Sequence, residues 1–146
     1  MDELDSEVVL RVVSEAPDGV VILDREGVIR YWNRGAERIF GRTGSEMIGS
    51  ALDVIIPTRL RQRHWDRFRA AMARGSTKYG EDDLLAVPAI AADGRTVSIE
   101  FSIVLVGNAG GDIGHVGAII RDVTARWDAE RETRRRLEAF IANSSG

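Results

Sequence analysis

The amino-acid sequence predicts an α+β domain built on an antiparallel sheet, and three observations carry that prediction. Apolar runs of strand length are joined by turn residues, at Asp24-Arg25-Glu26-Gly27, at Asp93-Gly94 and across positions 107–112. Helical spacing is gathered at the two ends of the chain and in its middle. Strands do not alternate one by one with helices, so no parallel crossover pattern arises and the helices segregate from the sheet.

The elements follow in order. Leu4, Val8 and Val12 recur every four residues, with Val9 and Val13 beside them, which predicts an N-terminal helix over 4–15. Ala16-Pro17-Asp18-Gly19 stops it. Positions 19–23 and 28–32 are apolar, β-branched runs around a turn and predict a hairpin. Asn33 is placed to cap the next helix, whose Ala36, Ile39 and Phe40 form one apolar side before Gly41 and Gly44 break it. Short helical turns are expected over 43–56, up to Pro57. Positions 58–74 carry the longest helical pattern of the first half. Leu60, His64, Phe68 and Met72 lie on one stripe, and Arg59, Arg61, Arg63, Arg67 and Arg69 fill the other faces. Two strands follow. One covers 84–90, and in the other Val97, Ile99, Phe101 and Ile103 alternate with Ser98, Glu100 and Ser102. A last strand over 116–120 leads to Asp122 or Thr124 as cap of a charged helix reaching about residue 142.

Composition narrows the function. With 146 residues and 44% apolar content, the chain suffices for one domain with a core. A net charge of 20 − 23 = −3 supplies no overall field for nucleic acid or anionic lipid, so neither is expected as a partner. The absence of cysteine removes thiolate nucleophiles, disulfides and Cys-based metal sites, and fits a cytoplasmic location. The acidic start Met1-Asp2-Glu3-Leu4-Asp5 is the reverse of a signal peptide. No nucleophile–base arrangement, His-Glu-x-x-His or serine elbow is present, so the chain is not expected to be an enzyme. The glycine-rich stretch 107–111 lacks the Lys-Ser/Thr of a phosphate loop. Arg131, Arg134, Arg135 and Arg136 alternate with Glu130, Glu132 and Glu138, as on a solvated helix.

Several segments in order resemble the PAS family of sensory domains. They are Ala16-Pro17-Asp18-Gly19-Val20-Val21-Ile22-Leu23-Asp24 with Gly27-Val28-Ile29, Tyr31-Trp32-Asn33-Arg34-Gly35-Ala36-Glu37-Arg38-Ile39-Phe40-Gly41, positions 44–49, Asp93-Gly94-Arg95, and Arg121-Asp122-Val123-Thr124. The likeness covers roughly residues 7–126. It implies a five-stranded antiparallel sheet forming one wall of a pocket, short helices on one face as the other wall, and flanking terminal helices. On that division residues 1–15 are an N-terminal helix, 16–123 the PAS core, and 124–146 a linker helix and tail. It further implies a module of a bacterial signalling protein that binds a ligand and relays to an output domain.

A narrower resemblance is to the haem-binding PAS domains of bacterial oxygen-sensing kinases. It rests on Ile56-Pro57-Thr58-Arg59-Leu60-Arg61-Gln62-Arg63-His64 and Met72-Ala73-Arg74-Gly75. The resemblance implies that His64 is the proximal metal ligand of a haem b used for gas or redox sensing. Leu60 and Phe68 would pack on the porphyrin, Arg69 and Lys78 would offset its propionates, and Leu84, Leu85, Phe101 and Ile103 would form the opposite wall. That group places an arginine near position 84 or 85, where this chain has leucine at both. With no donor there, oxygen is expected to bind weakly relative to carbon monoxide or nitric oxide. The alternatives are an apolar core with no cofactor, another small molecule, or a flavin stacked on Trp32 or Trp65. A flavin here would be without the cysteine adduct of photochemical PAS domains. His115, at the entrance of the last strand, is expected to be exposed.

Two features bear on assembly. Val123, Trp127, Glu130, Arg134, Leu137 and Ile141 follow a heptad rhythm with two polar seam positions. Together with the apolar N-terminal helix, this predicts a homodimer. The other arrangement for the last helix is to pack back on its own sheet.

Overall fold

A computed structural model describes residues 4–76 and 85–144. The elements are α1 (Ser6–Glu15), β1 (Gly19–Asp24), β2 (Ile29–Trp32), α2 (Arg34–Phe40), α3 (Gly44–Met47), two 3-10 turns (Leu52–Ile55 and Thr58–Leu60), α4 (Arg61–Arg74), β3 (Leu85–Ile90), β4 (Thr96–Gly107), β5 (Ile113–Asp122) and α5 (Thr124–Ser144). The five strands pair antiparallel in the order β2-β1-β5-β4-β3, the α+β architecture that the hairpin signals imply. Sequence-adjacent strands are neighbours except at β2 to β3, where the chain leaves the sheet to make the helical layer.

The sheet buries one face. Val21 and Leu23 of β1, Val97 and Ile99 of β4 and Ile120 of β5 pack with Ala36, Ile39 and Phe40 of α2, Met47 of α3 and Ile55. Period-two alternation puts these residues on a single side of their strands. Pro88 lies in β3, an edge strand, where its missing N–H leaves fewer ladder bonds unmade.

Asn33 joins the layers. Among the described residues it is the one polar residue in the core, 2% exposed. Its side-chain oxygen accepts from Val20 N (2.7 Å) and Ala36 N (2.9 Å), so it caps α2 as the sequence implies and also holds β1. Its amide nitrogen donates to Val13 O (2.8 Å) in α1 and Asp18 O (3.0 Å) in the following turn. These four bonds use the full capacity of the amide. The helix can approach that turn because residue 35 is glycine. A Cβ there would lie 2.1 Å from the Asp18 carbonyl oxygen.

Three elements differ from the sequence expectation. The helix expected over 58–74 is a 3-10 turn followed by α4. β4 continues to Gly107 and β5 begins at Ile113, because the ladder from Val104–Gly117 to Gly107–Ile113 outlasts the apolar–polar alternation. Val104 and Val106 are apolar on the outer face and blur that signal. Of the two arrangements open to the last helix, α5 takes the one that does not fold back on the sheet: residues 125–144 are all exposed. Its start is held by Asp122, whose carboxylate accepts from the Thr124 N–H and hydroxyl, while the Thr124 hydroxyl accepts from Ser98 N. Of the described residues, no helix is long and apolar enough to cross a membrane.

Replacing Asn33 tests its joining role. Asn33→Ala strands several buried backbone groups and is expected to destabilise the domain by about 2–4 kcal/mol in urea denaturation. Asn33→Asp keeps both acceptor bonds but loses both donations, so it should also destabilise.

Candidate functional site

α4 is positioned by its first two turns. Arg61 Nε donates to the carbonyls of Asp53 (3.0 Å) and Ile56 (3.1 Å), and Trp65 Nε1 donates to Asp53 Oδ1 (2.6 Å). The Trp65 ring rests on the β1–β2 turn at Gly27. That residue has φ +86°, and a Cβ on it would come within 2.6 Å of the ring. The left-handed backbone and the close approach both require glycine there. Trp65 also meets His64 and Phe68 edge-on, with ring centroids 4.6 and 5.4 Å away.

Between α4 and the sheet lies a cavity of about 570 Å³. That is within the range of roughly 300–1,000 Å³ typical of small-molecule sites. Its helical wall carries Leu60, His64, Phe68 and Met72, and the 3-10 turn adds Leu52 and Ile55. The sheet wall carries Ile99, Phe101, Ile103 and Leu105 of β4, Val116, Ala118 and Ile120 of β5, and residues 86–89 of β3. Arg63, Arg67, Arg74 and His64 are its only polar lining side chains among the described residues, and none is acidic.

His64 is the polar group set into the apolar wall. Its Nδ1 is buried with no hydrogen-bond partner. Burial lowers its pKa from the ordinary 6.5, opposed by the nearby Asp53 charge. The ring is therefore neutral near pH 7 and keeps a lone pair, the form in which imidazole ligates a metal. Among the described residues no group of three or more His, Asp or Glu side chains could hold a bare metal ion.

Of the residues named from the sequence, the fold brings His64, Leu60, Phe68, Phe101 and Ile103 to one cavity. Arg69 is not there. It is exposed and pairs with Asp66 (2.6 Å). Lys78 and Leu84 lie outside the described residues, and Leu85 is described only by its backbone pairing with Phe101. Trp32 is buried in the core, its Nε1 donating to Arg42 O (2.9 Å), and Trp65 is engaged with Asp53, so neither lines the cavity. His115 is exposed in β5. The sequence reading missed Arg63 and Arg67, assigned to the helix's outer faces, and the β5 residues. The alternation of β5 at 116, 118 and 120 could have signalled the latter.

Comparison with known proteins places this geometry. The family described as PAS fold matches residues 13–128. An uncharacterized protein of Azorhizobium caulinodans is 32% identical over 119 residues, covering 81% of this chain and 16% of that protein. The sensor protein FixL of Bradyrhizobium diazoefficiens is 32% identical over 53 residues, 36% of this chain and 10% of FixL. The chain thus spans less than a fifth of either relative. The crystal structure of a PAS domain from Colwellia psychrerythraea superposes with a TM-score of 0.70 at 18% identity, covering 82% of this chain and 98% of that one.

The lowered His64 pKa makes stability depend on pH. In the unfolded chain the imidazole takes up a proton near its ordinary 6.5, at higher pH than in the folded state. Between the two values the unfolded state binds more protons. The stability linked to a neutral His64 is therefore present above 6.5 and is lost as pH falls through that value toward the folded one. Urea midpoints at about pH 7.5 and about pH 5.5 should fall further for the parent than for His64→Leu.

Proposed function

This chain belongs to the PAS family, whose members are sensory domains of signalling proteins, and we propose that its signal enters through a haem b in the α4 cavity with His64 as the protein ligand to iron. The observation that carries the reading is the buried, unpartnered Nδ1 of a neutral imidazole in an otherwise apolar wall. An unsatisfied buried polar atom costs about 1–3 kcal/mol, so apolar packing alone does not account for this ring, which also lines the cavity.

The residues present fit the group. Leu60 and Phe68 flank His64 on the helix, and Phe101 and Ile103 offer a flat apolar surface opposite. When bound, haem supplies an iron whose oxidation state and free coordination position respond to redox conditions or a diatomic gas. The chain's own residues surround the imidazole with apolar side chains, set it edge-on to Trp65 and keep it neutral. Haem attachment by thioether bonds has no residue to use, since the chain lacks cysteine. The chain works as a binding module, with any catalysis in an output domain of a longer bacterial signalling protein in the cytoplasm.

A visible absorption spectrum of the purified protein separates haem, flavin and no cofactor. After haem reconstitution, His64→Ala should lose the Soret band and His115→Ala should keep it. Equal haem binding by His64→Ala and the parent would overturn the assignment and favour another small molecule or an empty apolar core.

The exposed apolar face of α1 supports a second element of the reading, a homodimer. Val8, Val9 and Val12 are 51%, 47% and 66% exposed. Apolar groups gathered on one exposed helix face mark an association surface. Sedimentation on the order of tens of micromolar should show a dimer, and Val9→Glu with Val12→Glu should shift it to monomer. A parent that is monomeric at that concentration would overturn the assignment.

A further inference from the structure

We propose that Arg63 and Arg67 form a carboxylate-recognising rim, so that the cavity selects an amphiphile with an apolar body and an anionic carboxylate head. The inference rests on reading the α4 cavity as a ligand site, and it names the ligand class independently of iron.

The other arginines of α4 are already engaged. Arg61 donates to the Asp53 and Ile56 carbonyls, Arg69 pairs with Asp66, and Arg74 donates to Ser76 O (3.2 Å). Asp53 takes the Trp65 indole and Asp66 takes Arg69, so these two acids are engaged elsewhere. Among the described residues Arg63 and Arg67 have no hydrogen-bond or ion-pair partner, yet both line the cavity.

Their spacing has chemical content. Residues four apart on a helix lie one above the other, with Cβ atoms about 5–6 Å apart. Two guanidinium forks at that separation can share one carboxylate or take two neighbouring ones, each by paired N–H donors. The arginines are exposed while the cavity behind them is lined by apolar side chains. A ligand matching both regions has its charge at the rim and its hydrocarbon inside. A neutral apolar ligand leaves both arginines unpaired, and a cation meets like charge with no acidic lining residue among the described ones to offset it. The chemistry has two sources, an aliphatic carboxylic acid and a carboxylated macrocycle such as haem.

The experiment compares each acid with its neutral counterpart on the parent and on the Arg63→Gln/Arg67→Gln variant. Dodecanoate and dodecanol are titrated by calorimetry, and haem and haem dimethyl ester by Soret absorbance. The parent should prefer at least one acid over its neutral partner. The double variant should bind that acid about tenfold or more weakly, with the neutral partner unaffected as the control for folding. Rim-dependent dodecanoate binding without haem binding supports the rim and overturns only the haem assignment. Rim-dependent haem binding with no response to dodecanoate supports the rim with a macrocycle as its source. Equal binding of acid and neutral partner, or equal loss of both in the variant, overturns the rim. His64-dependent haem binding under those conditions leaves the haem reading standing. A folded parent that binds none of the four overturns both.

Discussion

The structure depends on one buried amide. Asn33 bonds four backbone groups that belong to α1, the turn after it, β1 and α2. These elements share no continuous hydrogen-bond ladder, and α2 is only seven residues long. A helix so short is marginal by itself and takes its stability from tertiary partners. With Asn33 in place, Ala36, Ile39 and Phe40 are set against the sheet, and the chain after α2 must continue across the same face.

A second set of contacts keeps that face from filling completely. Trp65 is held from below by Gly27 and from the side by Asp53, which fixes the height of α4 above the sheet. Small residues then widen the gap: Ala71 on the helix, Ala86 and Ala89 on β3 and Ala118 on β5. The cavity is therefore a consequence of a propped helix facing short side chains. Its low polarity has an electrostatic result, since burial disfavours the imidazolium and keeps His64 neutral.

The cavity and the terminal helix share a strand. Val116, Ala118 and Ile120 line the pocket, and two residues later Asp122 fixes the start of α5. The first turn of that helix is also tied to β4, by Ser98 to Thr124 and by the Arg126–Glu100 ion pair. β4 contributes Ile99, Phe101 and Ile103 to the cavity wall. Both strands thus run from the cavity wall to the start of α5. Beyond that start α5 is exposed along its length. That geometry gives a change at the wall a short covalent and hydrogen-bonded connection to a helix leaving the domain, the kind of element a two-state switch biases.

Sequence alone determined whatever depends on neighbours in the chain. Hairpin turns at Asp24–Gly27 and Asp93-Gly94, the α2 cap at Asn33 and the alternation Val97, Ile99, Phe101 are local signals, and each names its element without reference to the rest. The four-residue stripe through Leu60, His64 and Phe68 belongs to the same class, which is why the helical wall was legible. Only the tertiary structure decided the rest. Periodicity says that α4 has an apolar side but not where its edge meets solvent, so Arg63 and Arg67 at the rim were indistinguishable from Arg69 facing away. The two further bonds of Asn33 to α1 and the turn are likewise long-range, with partners 20 and 15 residues distant in sequence. The end of β4 was hidden because its last residues are set by pairing to β5 while both faces of the strand read as apolar. Local pattern specifies which groups a segment presents, whereas the cavity and its charged mouth arise from the distance between segments, which is a property of packing.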